Sequence, residues 1–150
     1  MTSQITRYQI LPASWKDVGE LRQVEKACFQ DDAWPLLDLL GVLTMPGVVR
    51  LKAVVDGVMA GFVAGEPRPG PGIGWITTIG VLPQYRRLGI GTALLAAAEE
   101  QMGMPRVRLT MRRSNTVAQA LYQKEGYHQV EVWPRYYAGG EDGVVFEKER

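Results

Sequence analysis

The chain has 150 residues, 46% of them apolar, which suits a single domain built around one core. Lys and Arg number 17 against 16 Asp and Glu, so the chain as a whole carries no field strong enough to draw in nucleic acid or an anionic membrane. The one cysteine, Cys28, excludes an internal disulfide and a cysteine-built zinc site, and no run reaches the roughly 20 apolar residues of a membrane span. Residues 1–10 lack a charged start followed by an apolar run, so an unexported, cytoplasmic protein is expected, with no metal and as a monomer or homodimer.

Residues 5–11 read as a first strand. Ser14 and Asp17 have the serine-x-x-acid spacing that opens a helix, and Val18, Leu21, Val24 and Cys28 give that helix one apolar face through about Phe29. A shorter helix is expected over 35–43. Residues 48–55 and 58–64 flank Asp56-Gly57, a pair whose tolerance of positive φ suits a tight hairpin. Residues 66–72, rich in Pro and Gly, are expected as a loop rather than helix or central strand, because prolines lack the ladder donor.

A largely apolar β run follows over 75–82, stopped by Pro83, and then a long helix over about 88–102. Val107, Leu109 and Met111 alternate with Arg106, Arg108, Thr110 and Arg112, which marks a strand with one apolar face. A helix over 115–125 closes at Gly126, well suited to a left-handed cap, and strands over 127–133 and 144–148 finish an α/β chain of order βααβββαβαββ.

Between the fourth strand and the long helix lies Gln84-Tyr85-Arg86-Arg87-Leu88-Gly89-Ile90-Gly91-Thr92. Its glycines let backbone N–H groups approach an anion at the positive end of a helix, and two arginines add charge. It is neither of the common phosphate motifs: a dinucleotide fingerprint wants glycine where Leu94 stands, and a Walker loop wants lysine where Thr92 stands. Taken alone, the loop also fits a capped surface helix whose glycines merely permit close packing.

Arg86-Arg87-Leu88-Gly89-Ile90-Gly91, after the β run Thr78-Ile79-Gly80-Val81, resembles the Gln/Arg-x-x-Gly-x-Gly/Ala signature of the GNAT superfamily of N-acetyltransferases. Ser114-Asn115, Ala118 and Leu121-Tyr122-x-Lys124-x-Gly126-Tyr127 resemble its second signature. The resemblance implies the GNAT fold, a mixed central sheet flanked by helices, and transfer of acetyl from acetyl-CoA to a primary amine by direct attack in a ternary complex. It places Ile79, Gly80 and Val81 beside the pantetheine arm, and the amides of Arg86, Arg87, Leu88, Gly89, Ile90, Gly91 and Thr92 at the pyrophosphate. It also brings Asn115 to the coenzyme and makes Tyr122 the general acid at the sulfur. A thiol near pKa 8.5 and a tyrosine near 10 make that proton transfer feasible.

The strand position five residues before Asn115 often carries Glu or His as base in N-terminal acetyltransferases, and here it is Thr110. A free α-amine, with a pKa of roughly 8, tolerates a weak base better than lysine near 10.4. Glu25 lies on the first helix, where relatives bind acceptors, although a solvated helix carboxylate is its ordinary reading. His128 reads as surface and Cys28 as buried helix face. Arg106, Arg108, Arg112 and Arg113 read as ordinary surface or coenzyme neighbourhood.

Trp133-Pro134-Arg135-Tyr136-Tyr137 with Gly140-Glu141-Asp142 resembles the hairpin of the branch that acetylates protein N-termini, including the ribosomal-protein alanine acetyltransferases. The resemblance makes Tyr136 and Tyr137, together with Glu25, Phe29 and Trp34, the acceptor-binding residues. A small-molecule or lysine acetyltransferase, and a non-catalytic acyl-CoA-binding module, are the alternatives.

Overall fold

The computed structural model describes residues 7–150, and the observed order of elements is the expected βααβββαβαββ. These are β1 (Gln9–Pro12), α1 (Val18–Phe29), α2 (Leu36–Thr44), β2 (Val49–Val55), β3 (Val58–Arg68), β4 (Ile73–Val81), α3 (Ile90–Met102), β5 (Arg106–Arg112), α4 (Thr116–Lys124), β6 (His128–Trp133) and β7 (Gly143–Glu149). The first strand starts later than expected; residues 5 and 6 lie outside the described residues.

The serine-acid pair acts one turn earlier than a simple cap. It closes a 3-10 turn over Trp15–Asp17, in which the Asp17 carboxylate accepts the Ser14 N–H at 2.8 Å, and α1 follows. The other Asp17 oxygen meets Lys52 Nζ at 2.8 Å, which ties the start of α1 to β2.

The Pro-Gly segment differs from expectation: β3 runs on through Pro67 to Arg68, and the turn is confined to the residues after it. The pairing explains the tolerance. β2 ends opposite Gly65, so beyond it β3 is bonded only to β4, and a strand with one free edge can hold a proline. α3 likewise begins two residues late, because Gly89 at φ 81° is its left-handed N-cap.

The seven strands form one sheet in the order β1-β2-β3-β4-β5-β7-β6, and only the β4–β5 contact is parallel. That contact has three rungs, Ile73↔Arg106, Gly74↔Val107 and Trp75↔Arg108. Past Trp75 the two strands diverge, β4 running on to Val81 and β5 to Arg112 with no partner between them. Apart from the Val81 and Arg112 carbonyls, which bonds within the chain occupy, their backbone groups facing the gap have no strand partner and are open to a ligand.

Helices cover both faces. Leu94, Leu95, Ala98 and Met102 of α3 pack on Leu51, Ala53, Val63, Val107, Leu109 and Phe146, with Ala118 and Tyr122 of α4 joining at the edge. On the other face Leu21 and Val24 of α1 and Leu39, Val42 and Leu43 of α2 cover Met59, Phe62 and Ala64. Fully burying one such leucine or phenylalanine stabilises the fold by roughly 1.5–3 kcal/mol. α1 approaches the sheet so closely that a Cβ on Gly80 would stand 2.9 Å from the Cys28 sulfur, so a glycine there fixes how near α1 lies to the open end of β4.

Candidate active site

Two cavities open along the unpaired part of β4, and Ile79 and Tyr122 stand on the walls of both. The first, about 590 Å3, is lined by Gly80 and Val81 of β4, by Tyr85, Arg86, Arg87 and Gly89 of the loop, by Ile90, Gly91 and Thr92 of α3, and by Val117, Leu121 and Glu125 of α4. Of the residues expected to hold the coenzyme, Leu88 and Asn115 are not on this wall.

The chemistry of this cavity belongs to the backbone. The first α3 amide to bond back is that of Ala93, to the Gly89 carbonyl at 3.0 Å, so the amides of Ile90, Gly91 and Thr92 precede the helical ladder at its positive end. Arg87 (φ 67°) and Gly89 (φ 81°) hold left-handed conformations, a bend that turns the loop around the helix end. A Cβ on Gly89 would meet nothing within 4 Å; its glycine is demanded by backbone angle, and the space beside it is open to an anion. Arg86 folds back: its Nε donates to the Val81 carbonyl at 3.1 Å, which also accepts the Cys28 thiol at 3.3 Å. That carbonyl, expected to meet the pantetheine arm, is thus occupied from the protein side.

The second cavity, about 500 Å3, lies between the diverging strands, α1 and the start of α4. Its walls are Ile76, Thr77, Thr78 and Ile79 of β4, Leu109, Thr110, Met111 and Arg112 of β5, Cys28, Phe29, Asp32 and Trp34 at the end of α1, and Ser114, Asn115, Ala118, Tyr122 and Tyr137. Three of the expected acceptor residues, Phe29, Trp34 and Tyr137, are here. Asn115 is here too, its side-chain oxygen capping α4 by accepting the Ala118 N–H at 3.1 Å. Tyr136 is not: it is 55% exposed and stacks between Trp133 and Tyr137, with ring centroids 5.0 Å from each. Cys28, read as buried, is only half-buried and faces this cavity, with burial pushing its thiol up from the ordinary range.

Glu25 is not the solvated helix carboxylate of the ordinary reading. It is 1% exposed and stands behind the cavity wall, its Oε1 accepting the Thr78 hydroxyl at 2.7 Å. Leu21, Val24, Glu25 and Cys28 share one face at helical spacing, so the residue lies on the stripe that α1 turns to the sheet. Burial pushes its pKa up, with the Thr78 hydroxyl and the Trp34 backbone acting in the opposite direction.

At the partly exposed edge of this second cavity, its mouth, stands one arginine, a feature missed in the sequence. The Arg112 guanidinium donates to both oxygens of Asp32, at 2.7 Å through Nη2, to Glu141 Oε1 at 2.9 Å and to the Ala138 carbonyl at 3.3 Å, and lies 4.8 Å from the Tyr137 ring centre. It thereby joins the segment after α1 to the β6–β7 hairpin. Glu141 also accepts the Ser114 N–H at 2.7 Å, which fixes the approach to α4. Arg112 holds Asp32 below the usual carboxylate range, and Ser114 with Arg112 holds Glu141 at about 2. The readable hint was the pairing of an outward arginine on an alternating strand with the acids of a Gly-rich hairpin. Arg108 and Arg113 are paired likewise, with Glu147 at 2.8 Å and Asp142 at 3.2 Å, while His128 is exposed.

Tyr122 links the two cavities and stacks edge-on against Tyr127, centroids 5.9 Å apart. Burial pushes its pKa up to about 12, above the ordinary value assumed from the sequence, so it is firmly protonated. Tyr127 beneath it donates to Glu99 at 2.6 Å and is structural. Among the described residues, no cluster of His, Cys, Asp or Glu could hold a metal ion, and no helix is long and apolar enough to cross a membrane.

A cavity of free backbone amides at a helix start, joined through a tyrosine to a second, aromatic cavity, is an arrangement suited to passing a group between two substrates. Residues 14–127 match the Acetyltransferase (GNAT) family model. The chain is 34% identical to an N-alpha-acetyltransferase of Sulfurisphaera tokodaii, across 92% of this chain and 90% of that protein. It is 33% identical to the catalytic subunit of the N-terminal acetyltransferase A complex of Arabidopsis thaliana, across 91% of this chain and 74% of that one. In fold it is similar to the ribosomal-protein-S18-alanine N-acetyltransferase from Escherichia coli, with a TM-score of 0.85 at 22% identity over 95% of this chain and 94% of that one. Ard1 from Thermoplasma volcanium gives 0.84 at 22% identity over 95% and 97%. The chain therefore belongs to the GNAT family and is an acetyl-CoA-dependent N-acetyltransferase.

Proposed function

We propose that this chain is a single-domain, cytoplasmic enzyme that acetylates the α-amine of a protein N-terminus, a ribosomal protein being one candidate. The observation that carries the reading is the acceptor cavity, walled by Phe29, Trp34 and Tyr137 and closed over by the segment after α1 and the β6–β7 hairpin. Aromatic rings shield a peptide backbone while their polar edges bond to it, and such a walled slot suits a chain terminus better than an internal lysine. Relatives at about a third identity that carry the name N-alpha-acetyltransferase support it.

In this reading the amides at the start of α3 hold the pyrophosphate, and the free edge of β4 at Ile79 and Gly80 lies along the pantetheine arm. The bound coenzyme supplies a thioester carbonyl open to attack. With its raised pKa, Tyr122 gives up its own proton to a thiolate only uphill, so its hydroxyl serves first as a hydrogen-bond donor to the charge growing on sulfur and passes a proton on only as it receives one from nitrogen. Arg112 fixes the wall against which the acceptor rests.

The test is turnover of acetyl-CoA against peptides beginning Ser, Ala or Met beside spermidine, free amino acids and a peptide with only an internal lysine. A kcat/KM at least tenfold higher for one N-terminal peptide is expected. Preference for a polyamine, an amino acid or the lysine peptide would replace the reading, and binding of the coenzyme without any turnover would favour the non-catalytic module.

A further inference from the structure

We infer that Glu25, working through the Thr78 hydroxyl, accepts the proton that the bound amine must lose before it attacks. The inference rests on the cavity between α1, β4 and β5 being the acceptor site, whichever amine proves to enter it. Four observations converge. Glu25 is 1% exposed, and its Oε2 is, among the described residues, the one buried side-chain polar atom that no donor meets at hydrogen-bond geometry, the nearby Trp34 backbone N–H falling outside it. Such an orphan is costly unless a ligand, a water or a proton satisfies it. Its other oxygen is bonded to Thr78 at 2.7 Å, and Thr78 is on the wall of the cavity. Thr110, facing the same space from β5, cannot act as a base.

The other groups around the cavity serve less well. Tyr122 and Tyr137 are pushed up to about 12 and stay protonated, and Asp32 is held low by Arg112, which leaves it little affinity for a proton. Glu25 differs because burial favours its protonated form. A carboxylate lifted toward the amine's own range takes a proton from an ammonium at a smaller cost than an exposed one. The titratable and charged groups on the elements around it are Cys28 on its own helix, whose thiol feels the Glu25 charge, Arg86 on the loop after β4, and the Asp32–Arg112 pair at the mouth.

The step balances. One ammonium proton passes to the Thr78 oxygen as the Thr78 hydroxyl proton passes to Glu25 Oε1, leaving a neutral amine. Its nitrogen lone pair forms the C–N bond, the C–S bond breaks with its electron pair on sulfur, and the second nitrogen proton ends on sulfur by way of the Tyr122 hydroxyl. Glu25 returns its proton to solvent when product leaves.

The experiment measures kcat/KM from pH 5.5 to 9.5 on the best acceptor of the panel above, for wild type, Glu25→Gln, Thr78→Val and Thr78→Ser. With an α-amine of pKa near 8, wild type and Thr78→Ser hold their rate from pH 8 down to the raised Glu25 value and fall only below it. Glu25→Gln and Thr78→Val lose about tenfold per pH unit below pH 8 and converge on wild type above about pH 9, where the amine is already neutral. A uniform loss at every pH, or none, would make the pair a strut between α1 and β4 and overturn the inference, while leaving the acceptor class established by the panel untouched. Melting temperature gives a second readout. Because the folded state binds the Glu25 proton more tightly than the unfolded state, wild type loses stability as pH rises from the ordinary carboxylate range through the raised folded value. Glu25→Gln lacks that loss, so its melting temperature relative to wild type rises with pH; a constant difference contradicts a buried, titrating carboxyl. Should Glu25→Gln fail to fold, the Thr78→Val and Thr78→Ser profiles decide, and identical profiles reject the relay.

Discussion

The two cavities are built from different materials. In the proposed reading the coenzyme side is made of backbone: three amides at the start of α3, a left-handed Gly89, and a strand edge left open where β4 parts from β5. The acceptor side is made of side chains brought from distant parts of the chain, as in the Arg112–Asp32 pair, 80 residues apart in sequence. A backbone site takes any coenzyme carrying the same pyrophosphate and arm, whereas a side-chain site can be rebuilt for a new acceptor without disturbing the first. On that reading the constant half of the reaction is separate from the variable half, with Tyr122 on the wall shared by the two cavities.

The largest expected break in that comparison is Gly89→Glu. It sets a carboxylate where the cradle opens and forces a side chain into φ 81°, so stabilisation by saturating coenzyme A, read as a rise in melting temperature, should vanish. Peptide binding, measured without coenzyme, should be unchanged. Gly89→Ala carries the backbone strain without the charge and should keep part of the shift. An undiminished shift in a folded Gly89→Glu protein would remove the phosphate assignment.

Next comes Tyr122→Phe, which removes the hydroxyl common to both cavities while keeping the ring that stacks on Tyr127. Turnover should fall roughly ten- to a thousand-fold, the scale of losing one proton donor, with coenzyme affinity retained. Wild-type turnover in this variant would make Tyr122 a packing residue.

The same contrast explains what could be read in advance. The proposed phosphate cradle occupies nine consecutive residues, Gln84 to Thr92, and local spacing is what a sequence displays. The strand pattern of β5 was equally plain, since Val107, Leu109 and Met111 alternate and all are buried. Glu25 was read as a solvated helix carboxylate, and the structure buries it. Its place between Leu21 and Cys28 on one helical face was visible; that the sheet beneath supplies Thr78 depends on a contact across 53 residues. Arg112 was passed over for the same reason, as nothing near it in sequence announces Asp32. β3 was cut short at Ala64, before Pro67, because the free strand edge that admits a proline is a property of the sheet.

Smaller effects belong to the mouth. Arg112→Ala releases the segment after α1 from the β6–β7 hairpin, and the acceptor KM should rise roughly tenfold while coenzyme affinity stays put. Arg112→Lys keeps the charge but loses the fork that reaches Asp32 and Glu141 together, and should recover only part of the loss. A purely structural arginine would instead lower the melting temperature and weaken both substrates alike. Tyr137→Ala, which removes the ring under that guanidinium, should raise the peptide KM by a smaller factor.

The smallest effect expected is the acid sensitivity of this mouth, and its direction follows from the carboxylates. Asp32 and Glu141 are held lower in the folded protein than ordinary carboxylates, Glu141 at about 2, so their contribution is complete above the unfolded range near 4. It is lost only as pH falls from about 4 toward 2. Between pH 8 and 5, then, the mouth keeps one charge state, and the peptide KM, once corrected for ionisation of the peptide itself, should change less than about twofold. In Arg112→Ala the two carboxylates lose their cation and face each other across the gap, so their pKa values move up and the corrected KM acquires a pH dependence near 4–5 that wild type lacks. Measuring KM for one peptide at pH 4, 5, 6 and 7 in both proteins checks this, and a wild-type KM that shifts with pH while Arg112→Ala stays flat would show that the arginine is not what holds the two acids ionised at the mouth.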